Sequence, residues 1–109
     1  MMNQKLDPVT PGSILLTEFM EPLGLSQNKL ARELDVPAAR VNSIIRGTRR
    51  ITPDMALRLG RFFQTGPELW LNLQQRYDLK TAWAEIGEEI ERRITPLTDE
   101  QLHRASPIP

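Results

Sequence analysis

The chain of 109 residues has no cysteine, one histidine and 14 basic against 14 acidic side chains, which gives a formal net charge of zero. This length fits one domain with a single core, and the lack of cysteine excludes disulfides, thiolate metal sites and a cysteine nucleophile. Because no apolar run is long enough to span a bilayer and no signal peptide opens the sequence, we expect a cytoplasmic protein without a membrane partner.

The N-terminal segment is predicted to contain an arm, residues 1–9, followed by the first helix. Thr10 suits the N-cap position of this helix and Pro11 its first helical position. Gly24 follows Pro22 and marks the turn after the helix. The apolar stripe consists of Leu15, Leu16, Phe19 and Met20.

Residues 27–47, QNKLARELDVPAARVNSIIRG, predict two short helices joined by a tight turn. Ser26 caps the first, which is anchored by Leu30, Ala31 and Leu34 at spacing i, i+1, i+4. The second helix, with Pro37 in its first turn and Gly47 at its end, is anchored by Val41, Ile44 and Ile45. Small Ala31 allows the two helices to cross closely. This pattern is typical of a helix-turn-helix, whose second helix enters the major groove of DNA.

Two further helices complete the predicted bundle. Thr52, Pro53 and Asp54 begin the fourth, whose apolar positions are Met55, Ala56, Leu59, Phe62 and Phe63. Thr65 and Glu68 have the spacing of a capping box for a fifth helix that runs to about Tyr77.

The fifth helix is apolar on two sides, because Leu69 and Trp70 lie on one broad face and Leu71 points roughly opposite. A helix of this kind must bury both sides. One interpretation places Leu69 and Leu71 in crevices of a small core. The other predicts a homodimer with Leu69, Trp70 and Leu71 in its interface.

A separate C-terminal helix is predicted at residues 79–94, with one apolar seam formed by Leu79, Trp83, Ile86, Ile90 and Ile94. Gly87 weakens such a helix, so we expect it to dock on its own bundle or across a dimer. The tail, residues 95–109, is predicted to be mobile. The predicted fold is all-α: a compact five-helix, repressor-like helix-turn-helix bundle over residues 10–78, with the additional C-terminal helix.

Charge is distributed unevenly along the chain. Residues 26–61 contain eight basic and three acidic side chains, whereas residues 85–100 contain two basic and six acidic ones. This polarity fits one face that meets phosphates and another that is kept away from them or offered to a basic partner. Read alone, both faces could equally be solvated helix surfaces.

The sequence resembles the HigA-type antitoxins of bacterial toxin–antitoxin modules, within the phage repressor and Cro-like helix-turn-helix class. The resemblance extends over residues 11–82 and rests on PGSILLTEFMEPLGLSQNKLAREL, VNSIIRGTRRITPDMALRLGRFF and PELWLNLQQRYDLKTA. It implies a homodimer that neutralises a RelE-like, ribosome-dependent mRNA-cleaving toxin and represses its own operon. Asp35 departs from the glycine common at the turn, although aspartate tolerates a left-handed backbone.

The resemblance also implies DNA-binding residues. Gln27 matches a glutamine that contacts phosphate and supports the recognition helix. The outward positions of that helix are Ala38, Ala39, Arg40, Asn42, Ser43 and Arg46. Their chemistry suits adenine for Asn42, guanine or phosphate for the arginines, and thymine methyl groups for the alanines. The following loop offers Thr48, Arg49 and Arg50 to the DNA backbone.

Several alternatives stay open at this level. Asn42 and Ser43 also fit plain solvent positions, and Arg58 and Arg61 are expected on a solvated face rather than in the site. A stand-alone helix-turn-helix repressor without a toxin needs the same DNA surface, and a helical adaptor needs none. We expect neither an enzyme nor a cofactor, because no paired carboxylates, Cys/His set or phosphate-binding glycine loop is present.

Overall fold

The computed structural model describes residues 9–105, and this part of the chain contains helices and no strand. The helices are α1 (residues 11–23), α2 (Gln27–Leu34), α3 (Ala38–Ile45), α4 (Pro53–Phe62), α5 (residues 68–93) and α6 (Asp99–Leu102). The predicted all-α, helix-turn-helix bundle is thereby confirmed. Most of the predicted N-terminal arm and the last four residues of the tail lie outside the described residues. Within residues 9–105, no helix is both long and apolar enough to cross a membrane.

Helix α1 begins and ends where its sequence predicts. The Thr10 hydroxyl accepts a hydrogen bond from the backbone N–H of Ser13 at 3.1 Å, and Pro11 occupies the first turn. The middle of the helix, Leu15–Met20, widens into a π-helical turn. A wider turn accommodates Pro22, which has no N–H for the carbonyl four residues earlier. Gly24 then ends the helix with a φ of 66°, in the left-handed region.

The core lies where α1 to α4 meet the first turns of α5. Its buried apolar residues are Leu15, Met20, Leu30, Ala31, Leu34, Val41, Ile44, Ile51, Met55, Ala56, Leu59 and Trp70. The rings of Phe19 and Phe63 lie 4.7 and 5.9 Å from that of Trp70, measured between centroids. Such tilted contacts between aromatic rings add to the stabilisation from burial.

Trp70 is therefore a core residue, and its predicted place in a dimer interface is wrong. Its side chain has no accessible surface, and its indole N–H donates to the Thr65 hydroxyl at 2.9 Å. The predicted capping box is also wrong, because the Thr65 hydroxyl accepts from the Trp70 indole and not from a backbone N–H of the helix. Helix α5 starts at Glu68 after Pro67, without a side-chain cap. Leu69 and Leu71 remain more than one-third exposed.

The predicted break before residue 79 is absent, and α5 continues from Glu68 to Arg93. Its three parts, Glu68–Ala82, the π-helical Trp83–Gly87 and Glu88–Arg93, follow one another without leaving helical backbone angles. The residues around Asp78 include no glycine or proline, so nothing there interrupts the hydrogen-bond ladder. The apolar residues on this extension, which we name the C-terminal seam, are Leu79, Trp83, Ile86, Ile90 and Ile94.

The C-terminal seam does not dock on the bundle. Its five side chains are between 43% and 63% exposed. The expectation that this helix docks on its own bundle is therefore wrong, whereas docking across a dimer stays a prediction. The mobility of the tail stays a prediction, and the described part of the tail contains the short helix α6. Thr98 and Gln101 form a reciprocal capping box there, with the Thr98 N–H donating to Gln101 Oε1 at 2.9 Å.

Candidate nucleic-acid interface

Helices α2 and α3 form the predicted helix-turn-helix. Ser26 caps α2 by accepting from the Lys29 N–H at 3.0 Å. Asp35 ends the helix at φ 59° and ψ 48°, which is the left-handed conformation expected for this turn. The Val36 N–H donates back to the Ala31 carbonyl at 3.0 Å and closes the turn. Pro37 is the N-cap residue of α3 and not its first helical residue.

Arg58 holds this turn from the side of α4. Its guanidinium Nη1 donates to the carbonyl of Leu34 at 2.8 Å and to that of Asp35 at 3.2 Å. Its Nε donates to Asp54 Oδ1 at 2.7 Å. Arg58 was expected on a solvated face outside the site. Its side chain is 35% exposed and also holds the turn, while its place outside the site stays a prediction. The sequence shows the Asp54–Arg58 spacing of four residues but not the carbonyl groups that the turn brings to the same guanidinium.

The carboxylate of Asp54 connects α4 with the recognition helix. The hydrogen bond from Arg58 lowers the pKa of Asp54, and the charges of Arg58 and Arg40 act in the same direction. The same hydrogen bond raises the pKa of Arg58. Arg40 Nη1 lies 3.8 Å from Asp54 Oδ1. The Arg40 side chain thus faces α4 as well as solvent, unlike the fully outward position that the helical pattern predicts.

The recognition helix α3 has one apolar face and one open face. Val41 and Ile44 are buried, which leaves the predicted contact positions toward solvent. Ala38, Ala39 and Arg46 are exposed, whereas Asn42 and Ser43 are half-buried. Asn42 Nδ2 donates to Gln27 Oε1 at 3.0 Å. The structure therefore brings together two predicted site residues from successive helices, and Asn42 is not a plain solvent residue.

The loop after α3 folds back onto its last turn. The carbonyl of Ser43 accepts from the backbone N–H groups of Thr48 and Arg49 at 3.0 and 3.2 Å, and the Thr48 hydroxyl also donates to it. Gly47 adopts a φ of 82°, as expected for the end of this helix. Thr48, Arg49 and Arg50 are all exposed beside the open face of α3. The end of α3 and this loop thus carry three exposed arginines, which are Arg46, Arg49 and Arg50.

Similar proteins identify the family of this chain. The helix-turn-helix family model matches residues 16–70. The solved structure of the Pseudomonas aeruginosa antitoxin HigA with the higBA promoter is 48% identical, covers 84% of this chain and 99% of its own, and has a TM-score of 0.80. The chain belongs to the HigA-type antitoxin family.

Other relatives of this HigA-type chain are named either as antitoxins or as transcriptional regulators. Antitoxin HigA-1 of Vibrio cholerae is 35% identical over 79 residues, or 72% of this chain and 74% of that protein. YbaQ of Escherichia coli K12, named an uncharacterized helix-turn-helix transcriptional regulator, is 41% identical over 101 residues, or 93% of this chain and 80% of that protein. These relatives are antitoxins or regulators, and none is named as an enzyme.

Gly12 is a position in this HigA-type fold that sequence reasoning did not single out. Helix α1 crosses the end of the recognition helix there, and a Cβ on Gly12 would lie 1.8 Å from the carbonyl oxygen of Ile44. Only glycine permits this approach between two backbones. The signal in the sequence is a glycine placed in a first helical turn, where it otherwise only weakens the helix.

Proposed function

We propose that this protein is a DNA-binding antitoxin that acts as a homodimer. In this proposal it represses its own operon and neutralises a RelE-like toxin encoded beside it. The observation that carries the proposal is the open face of α3, flanked by the basic loop, in a chain 48% identical to an antitoxin whose structure includes its own promoter.

The site residues divide into base-reading and backbone-contacting groups. Asn42, oriented by Gln27, has the chemistry to pair with adenine, and Arg46 with guanine or phosphate. Ala38 and Ala39 are small enough to contact thymine methyl groups. Thr48 and Arg49 reach the sugar–phosphate backbone from the loop. Arg40 supports α3 through Asp54, and half-buried Ser43 anchors the loop through its carbonyl.

A homodimer would present two recognition helices to double-stranded DNA. The matching operator is a near-palindrome whose half-sites are separated by about one helical turn, roughly 34 Å. The C-terminal seam supports the dimer, because apolar patches of this kind mark interaction surfaces in otherwise polar proteins. Leu69 and Leu71 on the same helix are candidates for the edge of that contact.

The DNA-reading roles predict different responses for Arg49→Ala and Asn42→Ala. We expect Arg49→Ala to weaken binding to all duplexes alike and to reduce the salt dependence by about one phosphate contact. Asn42→Ala should instead cost roughly 1–3 kcal/mol on the operator and leave sequence-independent binding nearly intact. Each variant would be titrated at two salt concentrations against its own promoter fragment and a scrambled duplex.

Arg61→Ala provides the matched control, because Arg61 is an exposed arginine outside the proposed surface. We expect Arg61→Ala to leave the operator affinity nearly unchanged and to reduce the salt dependence by less than one phosphate contact. If Asn42→Ala lowers the affinity for both duplexes equally, Asn42 does not read a base and the proposed orientation of α3 is wrong.

The toxin partner is tested by co-expression with the product of the adjacent gene. The acidic residues of the C-terminal half, Glu85, Glu88, Glu89 and Glu91, would attract a basic toxin and speed its association. We expect the tagged protein to co-purify with that product and to relieve its growth inhibition. Operator binding without any co-purified product would instead favour the stand-alone repressor, a role consistent with the relative named as a transcriptional regulator.

A further inference from the structure

One residue of the DNA-facing loop is joined to helix α5 by an ion pair. Arg50 Nη1 lies 2.7 Å from Asp78 Oδ2. The Arg50 side chain remains about two-thirds exposed, so its guanidinium also faces solvent on the side of the loop. Arg49, its neighbour in the same loop, forms no ion pair within the described part of the chain.

The carboxylate of Asp78 is held in place by a buried amide. Gln74 is the buried polar side chain of the described residues, with 6% of its surface exposed. Its Oε1 accepts from the backbone N–H of Ile51 at 2.8 Å, and its Nε2 donates to Asp78 Oδ1 at 3.1 Å. One carboxylate oxygen therefore binds Gln74 and the other binds Arg50. Because Gln74 also holds the end of the loop, the position of Asp78 relative to Arg50 is fixed by the core.

We infer that Asp78 is a specificity-determining residue that acts through Arg50 and limits sequence-independent binding to DNA. This inference rests on the proposed DNA-binding function. Sequence-independent complexes are held almost entirely by contacts between basic side chains and phosphates. An arginine held by a carboxylate must leave its partner before it gives a full contact, and the carboxylate itself repels the phosphates.

Operator binding depends less on this one arginine. In the specific complex the base contacts of α3 set the register, and a fixed register limits which phosphates Arg50 can reach. In sequence-independent complexes the protein samples many registers, and a released Arg50 finds a phosphate in most of them. Asp78 therefore weakens the unspecific complexes more than the specific one.

The test is Asp78→Asn, which removes the charge but retains an oxygen that accepts from Gln74. We expect the affinity for a scrambled duplex to rise roughly threefold at low salt and its salt dependence to increase by about one phosphate contact. The affinity for the operator should rise less, so the ratio of operator affinity to scrambled-duplex affinity falls. A thermal unfolding curve close to that of the unaltered protein would show that the fold is retained.

Two further variants separate the ion pair from general charge. Glu68→Gln makes the same change in net charge on the same helix, at an exposed residue with no role in the proposed site, and should leave the affinity for the scrambled duplex nearly unchanged. In an Arg50→Ala background, Asp78→Asn should lose its effect, because Asp78 acts through Arg50. An unchanged or lower affinity of Asp78→Asn for the scrambled duplex overturns the inference, as does an effect that persists without Arg50. If the unaltered protein fails to discriminate its promoter from the scrambled duplex, the proposed function fails instead.

Discussion

Gly12→Ala is expected to destabilise the protein more than any single surface change, by roughly 3 kcal/mol or more. The added Cβ would meet the Ile44 carbonyl oxygen at 1.8 Å, the Ile44 carbonyl carbon at 2.7 Å and the Ile45 Cα at 2.9 Å. All three atoms belong to the backbone of the recognition helix, so no side-chain rotation relieves the clash. Either α1 separates from α3 or the end of α3 moves. Chemical denaturation followed by circular dichroism measures the loss.

Gly87→Ala is the matched control for this prediction. The three atoms nearest to a Cβ on Gly87 all belong to the ring of Trp83, the closest at 2.4 Å. This clash involves a side chain and no backbone, and because Trp83 is 57% exposed its ring can rotate away. In the interior of a helix, alanine is more favourable than glycine by up to about 1 kcal/mol. Since this gain offsets the rotation of Trp83, we expect the variant to lose far less stability than Gly12→Ala. Equal stability of the two alanine variants would contradict the close approach of α1 and α3.

The parts of the fold that the sequence predicted correctly depend on local signals. Thr10, Ser26 and Thr52 cap their helices as expected, each by accepting from a backbone N–H three residues later. The left-handed turn at Asp35 also follows from local backbone preference. Apolar spacing identified the buried face of the recognition helix because Val41 and Ile44 lie one turn apart on it. These features need no information from distant residues.

Several of the incorrect predictions involve tertiary contacts. Trp70 has the character of an interface anchor, but two phenylalanine rings and the Thr65 hydroxyl enclose it. The sequence predicted a separate helix after Asp78 because the apolar stripe becomes narrower there. The helical backbone nevertheless continues through this point. Arg58 contacts the turn, and Asp78 pairs with Arg50, across 20 or more residues of the chain. For Asp78 the sequence led to no prediction at all. Periodicity carries no information on such pairs.

Helix α5 also determines how the protein is expected to assemble, and Ile86→Asp tests this most directly. Ile86 lies in the middle of the C-terminal seam and is 48% exposed in the single chain. An aspartate there remains solvated in the monomer, so folding is little affected. In the proposed dimer the same charge would be buried against apolar side chains, where an unpaired carboxylate is strongly unfavourable. We expect sedimentation at micromolar concentration to show a dimer for the unaltered protein and a monomer for this variant.

Operator binding should fall together with the dimer. A dimer links two half-site contacts, and such linkage strengthens binding by about 10²–10⁴-fold over a single contact. Ile86→Asp is therefore expected to lower the operator affinity by roughly 10²-fold or more, although its recognition helix is unaltered. Leu57→Asp is the control, because Leu57 is 63% exposed on α4, away from the seam, and it should leave assembly and binding intact.

The position of the dimer contact along α5 follows from comparing two variants. Leu71→Asp places the charge near the start of the helix, where Leu71 is 36% exposed. If Leu71→Asp gives a monomer and Ile86→Asp a dimer, the contact lies beside the bundle and the C-terminal seam is left for another partner. The reverse result places the contact on the seam, beyond the residues that pack on the bundle. If the unaltered protein is a monomer in solution, both positions of the dimer contact are contradicted. Two monomers would then have to assemble on the operator itself.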